Sequence, residues 1–194
     1  MVRISTNLFL IICFVLLAGC SNEYPHVVII TEDASIEIEL YPDKAPLTVK
    51  NFMQYCAEGR FKNSSFYRAV RDDNQAGSKY KIKVLQGGLK DDFHPLMLPP
   101  IEHETTLQTG IIHKDGVISM ARNEPGSATS EFFICIGDNP ELDYGGKRNP
   151  DGQGFAAFGK VVKGMDAVER YWQMPTKDQY LHPPVKILDI ILVD

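Results

Sequence analysis

The residues most able to do chemistry fall in five short segments. They are Phe66-Tyr67-Arg68-Ala69-Val70, Gln86-Gly87-Gly88, Met120-Ala121-Arg122, Ser127 to Ile134 with the pair Phe132-Phe133, and Phe158-Gly159-Lys160-Val161. A guanidinium, a carboxamide and exposed aromatic rings can bind and orient a polar group beside an apolar one. They cannot supply a nucleophile or a proton acceptor at neutral pH. Taken alone, Arg68 reads as a surface arginine on a strand. Other chemistries find little support. His94, His103 and His113 stand near several carboxylates but match no compact ligand spacing, so they read as solvated loop residues and no metal is expected. Asp143 to Gly154 lacks a calcium-loop pattern, and Gly152-Gln153-Gly154 precedes a strand rather than a helix, unlike a dinucleotide fingerprint.

The elements that would position these segments are mostly strands. Val27 to Thr31 and Ile36 to Leu40 form a hairpin pattern with one wet face. Pro46 suits a helix start, and Val49, Phe52, Met53 and Cys56 recur at helical spacing until Gly59. Further strands are expected over Phe66 to Val70, Ile82 to Gln86, Val117 to Ala121, Phe132 to Ile136, Phe155 to Val162 and Val185 to Val193, with a second helix over Met165 to Trp172. Many short strands and two isolated helices suggest a closed antiparallel barrel. Leu89 to Gly116 and Gly137 to Gly154 show no periodicity and read as long loops or insertions. Gly87 and Gly88 read as servants of backbone geometry.

Order and spacing of the five segments resemble the cyclophilins, from about Val27 to the C-terminus. The resemblance implies a mainly β fold: a closed eight-stranded antiparallel barrel capped by two α-helices, with a proline-binding groove on its outer face. It also implies peptidyl-prolyl cis/trans isomerase activity without cofactor or metal. Carried over by position, it implies catalytic roles for Arg68, Gln86 and Phe133, and substrate-binding positions at Val84, Ala121, Leu142 and Phe155. The chain departs from the family pattern at Tyr67, where histidine is common, and at Glu131, which replaces a glutamine. Lys83 falls where a groove phenylalanine is usual. Glu141 stands in place of a tryptophan that helps bind cyclosporin, which implies weak binding of that drug.

The activity needs no acid or base. Rotation about an X-Pro bond must break amide resonance, at a barrier of about 18–20 kcal/mol. An apolar seat can fix the proline ring while a cationic donor meets the imide nitrogen, whose lone pair is free only in the twisted state. Gln86 could hold the substrate backbone and select which half rotates. The competing reading is a non-catalytic module on the same fold that grips proline-containing partners, with Lys83, Glu131 and Glu141 choosing them.

The start of the chain carries separate information. Arg3 precedes an apolar stretch from Leu8 to Leu17, shorter than the about 20 residues a spanning helix needs. It ends in Leu17-Ala18-Gly19-Cys20, which resembles the lipobox of bacterial lipoproteins. Residues 1–19 are therefore expected to be a signal peptide, 20–26 a lipidated terminus and short tether, and 27–194 the isomerase domain. Lipid on Cys20 would hold the protein to a membrane of the bacterial cell envelope, on its periplasmic or surface side. Cys13 leaves with the leader and Cys20 would carry the lipid, so Cys56 and Cys135 remain, both within apolar patterns and expected as buried free thiols. The formal charge of −5 offers no footprint for nucleic acid. Expected partners are proline-containing polypeptides and the membrane, with the protein itself a monomer.

Overall fold

A computed structural model describes residues 24–91 and 93–193. The leader and Cys20 lie outside them. The strands are β1 (His26–Thr31), β2 (Ser35–Leu40), β3 (Ser65–Val70), β4 (Val84–Gly88), β5 (Val117–Met120), β6 (Phe132–Cys135), β7 (Ala156–Lys163), β8 (Thr176–Lys177) and β9 (Tyr180–Val193). All pair antiparallel in the order β1-β2-β7-β5-β6-β4-β3-β9, and β1 pairs with β9 to close the ring. Eight strands thus make the barrel, which removes free sheet edges. The two-residue β8 only extends β9 as a hairpin, a strand too short to leave a sequence signal.

Helix α1 (Pro46–Ala57) starts on Pro46 as expected, and Gly59, at φ 62°, turns the chain beyond its end. Helix α3 spans the expected residues, Met165–Trp172. A third helix, α2 (Thr106–Thr109), lies within the stretch read as loop. It is a single turn held by a capping box, in which the Gln108 N–H donates to Thr105 Oγ1 and the Thr105 N–H to Gln108 Oε1 (2.8 Å). Such a helix is too short to show hydrophobic periodicity.

Interior side chains come from alternate residues of β1, β2, β4 and β6, and bulges shift the pattern in β3 and β7. Phe52 of α1 packs edge-on to Phe132 of β6 at 5.5 Å between ring centres and against Phe158 of β7 at 5.1 Å. Phe61, Phe66 and Tyr171 complete this aromatic centre. Cys56 belongs to it, whereas Cys135 belongs to a smaller apolar cluster with Val70, Val84, Phe133, Leu142 and Phe155. Both thiols are free and buried, and burial pushes both well above the usual thiol range.

Candidate active site

The smaller cluster lies on the outer face of the strands that build the interior. In β4 and β6, Leu85 pairs with Ile134 and Gly87 with Phe132 on the inner side, while Gln86 pairs with Phe133 and Val84 with Cys135 on the outer side. Arg68 pairs with Gln86, and Phe133 with Ser119 of β5. Arg68, Gln86, Phe133 and Ser119 therefore form one row across four strands. Simple alternation would give Phe66 the same side as Arg68. A bulge between Phe66 and Arg68 prevents this: Phe66 opposes Gly87, and Arg68 opposes the next residue, Gln86. With Tyr67 as the extra residue, Phe66 stays in the core and both Tyr67 and Arg68 line the groove.

The groove encloses about 480 Å³, and its apolar floor is Val84, Phe133, Leu142 and Phe155, with Ala121 at its side. Phe155 meets Phe133 edge-on at 5.4 Å. The Phe155 N–H donates to the Leu142 carbonyl (2.9 Å), which closes the loop between them at its base. Gly154 allows that closure: its φ is 65°, and a Cβ there would stand 2.5–2.7 Å from backbone atoms of Leu142 and Asp143. Arg122 lies over the Phe155 ring at 5.2 Å, donates to the Gly154 carbonyl and forms a two-pronged pair with Asp151 (2.8 and 2.9 Å).

Polar groups form a directed chain beside this seat. Arg68 Nη1 donates to Gln86 Oε1 (2.8 Å), Gln86 Nε2 to Tyr67 Oη (2.7 Å), and Tyr67 Oη to Glu131 Oε2. An ionised Glu131 only accepts, so Tyr67 must donate to it, and the Gln86 amide must turn its carbonyl toward Arg68. Burial, followed by the Glu131 charge, pushes the Tyr67 phenol far above its ordinary range and keeps it a donor. Glu131 also accepts from the Lys90 N–H (2.9 Å) and Ser130 Oγ (3.0 Å). Gly88 leaves room for it, since a Cβ there would lie 2.5 Å from Glu131 Oε1. Two of the family departures, Tyr67 and Glu131, are thus parts of one hydrogen-bonded unit.

All seven residues named for catalysis or substrate binding line this groove. Two expectations need correction. Lys83 does not line it, because its backbone is tied to Asn139 and Ile136 and the alternation gives the groove Ile82 and Val84 instead. His113 is no solvated loop residue. It is 1% exposed, with Nδ1 against Asp143 Oδ1 (2.7 Å), Nε2 against Ser119 Oγ (3.0 Å), and its ring stacked on Phe133 at 5.9 Å. It supports the floor from behind. Glu141 is absent from the groove lining and accepts from the Lys147 N–H.

Sequence reasoning missed Gln179. Its Oε1 accepts from Arg68 Nε (3.0 Å) and Nη2 (2.6 Å), and its own Nε2 donates to the Asn74 carbonyl (2.8 Å). Asp178 and Gln179 have φ of 50° and 72° between β8 and β9, as a tight primed turn requires. No sequence signal links this turn to Arg68. Among the described residues no group of three or more His, Cys, Asp or Glu side chains is arranged to hold a metal ion.

A donor set aimed across an apolar seat can bind a flat, ring-bearing amide and stabilise a twisted form of it. Residues 26–191 match the family model described as cyclophilin type peptidyl-prolyl cis-trans isomerase/CLD, and the chain belongs to that family. It is 34% identical over 163 residues to peptidyl-prolyl cis-trans isomerase B of Escherichia coli (84% of this chain, 93% of that protein). It is 36% identical over 155 residues to peptidyl-prolyl cis-trans isomerase A of Dickeya dadantii (79% of this chain, 74% of that protein). The fold matches a Cryptosporidium parvum cyclophilin type isomerase crystallised in the presence of the dipeptide Ala-Pro. That likeness has a TM-score of 0.69 at 22% identity and covers 87% of this chain and 99% of that one.

Proposed function

We propose that this peptidyl-prolyl cis/trans isomerase acts on X-Pro segments of exported polypeptides from a membrane surface, with the groove around Arg68 as its site. The observation that carries the site is the cross-strand row of Arg68, Gln86 and Phe133 in a family member. Phe133, Leu142 and Phe155 seat the proline ring. Arg68, always charged and fixed by two carboxamides, donates to the imide nitrogen as the bond twists. It binds the planar ground states less well, because conjugation occupies the lone pair there, and that difference lowers the barrier. Gln86 holds the peptide backbone on the side that stays fixed.

The membrane part rests on the leader and the Leu17 to Cys20 ending alone. Two or more acyl chains on Cys20 would hold the domain stably. Isomer exchange of an X-Pro peptide, followed by NMR, should speed up on addition of the purified protein, and an unchanged rate sinks the site assignment. In cells, Cys20→Ser should release the protein from the membrane fraction, and unchanged partitioning removes the anchor.

A further inference from the structure

Two loops, one joining β3 to β4 and the other β6 to β7, meet at Arg148. Its Nη1 donates to Gln75 Oε1 (3.0 Å), Ser78 Oγ (2.7 Å) and the Tyr80 carbonyl (2.9 Å). Gln75 is buried and is itself held by Ile82, donating to its carbonyl at 2.6 Å. This guanidinium is therefore fixed on the groove wall by neutral acceptors, all on one nitrogen. No carboxylate of the described residues pairs with it. Burial, and then repulsion from Arg68, lower its proton affinity, yet an arginine remains charged.

Two of its charged neighbours are already paired. Arg122, on the same groove, already has Asp151. Glu131, the one carboxylate on the groove lining among the described residues, already accepts from Tyr67, Lys90 and Ser130. Arg68 and Arg148 thus both line the groove, and neither forms an ion pair with a carboxylate of the described residues. Partly buried cations in this arrangement favour a ligand that brings an anion, and charge-assisted pairs with arginine are the stronger kind.

We infer that Arg148, together with Arg68, forms an anion subsite that favours X-Pro segments carrying an acidic side chain, carboxylate or phosphate, next to the proline. The inference rests on the groove being the isomerase site. Its test is NMR exchange on the purified protein with peptides alike except for Glu, Gln, Lys or phosphoserine at either flank of the proline. At one flank, kcat/KM should be about tenfold higher for Glu than for Gln, with Lys lowest, and the advantage should shrink as salt rises. In Arg148→Gln the Glu-to-Gln ratio should fall toward one. A gain for phosphoserine beyond that for Glu identifies phosphate as the preferred anion, and a gain for Glu alone identifies carboxylate. Equal rates for Glu, Gln and phosphoserine at both flanks overturn the subsite while leaving the isomerase in place, as does a preference that survives in Arg148→Gln. No acceleration of any peptide overturns the isomerase reading instead. Salt dependence of the unmodified protein decides the matter even if the variant fails to fold.

Discussion

The inner and outer faces of β3, β4 and β6 are built from alternating neighbours in one chain, yet they obey different rules. Inside, Phe66, Leu85, Phe132 and Ile134 are fully buried and purely apolar. Outside, Arg68, Gln86 and Phe133 line the groove and set two polar groups beside one apolar ring. The inner face can tolerate any well-packed apolar set of the right volume. Chemistry requires particular groups at particular angles, so the outer face is held by hydrogen bonds from distant loops: Gln179 on Arg68, Glu131 on Tyr67, Asp143 on His113. Strands supply the row, and loops supply its orientation.

Phe132 and Phe133 allow the most direct attempt to break this contrast. Phe132→Ala removes a ring packed against Phe52, Phe61 and Phe66 and should cost about 3–5 kcal/mol of stability, read from urea unfolding. Phe133→Ala should cost less, because one side of its ring faces the groove, but should raise KM for X-Pro exchange at least ~10-fold. Equal losses of stability with no change in KM would mean that the two faces are not functionally distinct.

Arg68→Ala should come next in size. Removing a single preorganised donor to a developing lone pair commonly costs about 10²–10³ in kcat, and the barrel should unfold at nearly the unmodified urea concentration. A loss of activity matched by a loss of stability would place Arg68 among the structural residues instead.

These first two tests concern features legible in the sequence. Apolar and polar residues alternate with period two, and that pattern, with Pro46 and Gly59 around α1, suggests the barrel and its two longer helices, whereas the residues of the row follow from the resemblance to the cyclophilins. What stayed hidden depends on contacts between distant segments. The bulge that sends Tyr67 outward exists only relative to β4. His113 is buried because Asp143, thirty positions on, accepts from it. Lys83 was misplaced because the loop of residues 71–81 hides where β4 begins. The capping box at Thr105 and Gln108 was local and readable, and only the shortness of α2 concealed it.

Gln179 sharpens the comparison, since it acts on the outer face alone. Gln179→Gly suits the backbone at φ 72° and removes only the carboxamide that holds Arg68 Nε and Nη2. It should lower kcat about tenfold, equivalent to ~1.4 kcal/mol, while leaving KM within a factor of two or so. A merely structural role for this turn would move the urea midpoint and leave kcat in place.

The smallest effect concerns acid. Arg122 holds the Asp151 carboxyl down at about 2, against an ordinary 3.8, through direct hydrogen bonds on the exposed rim of the groove. A carboxyl whose affinity for protons is lowered by folding stabilises the native state above its unfolded value, and that contribution fades as the pH falls from about 4 toward 2. Asp151 is solvated, so screening keeps its contribution modest. Its partner Arg122 lies over Phe155, which ties this titration to the groove wall rather than to the barrel interior. Asp151→Asn should therefore flatten the dependence of the urea midpoint on pH between about 4 and 2 by a small but measurable amount. It should also make peptide affinity at pH 3 less different from that at pH 7. If the variant keeps the full acid dependence of both quantities, the wall around Phe155 is held by the Gly154 carbonyl and packing alone, and the ion pair contributes nothing to the groove.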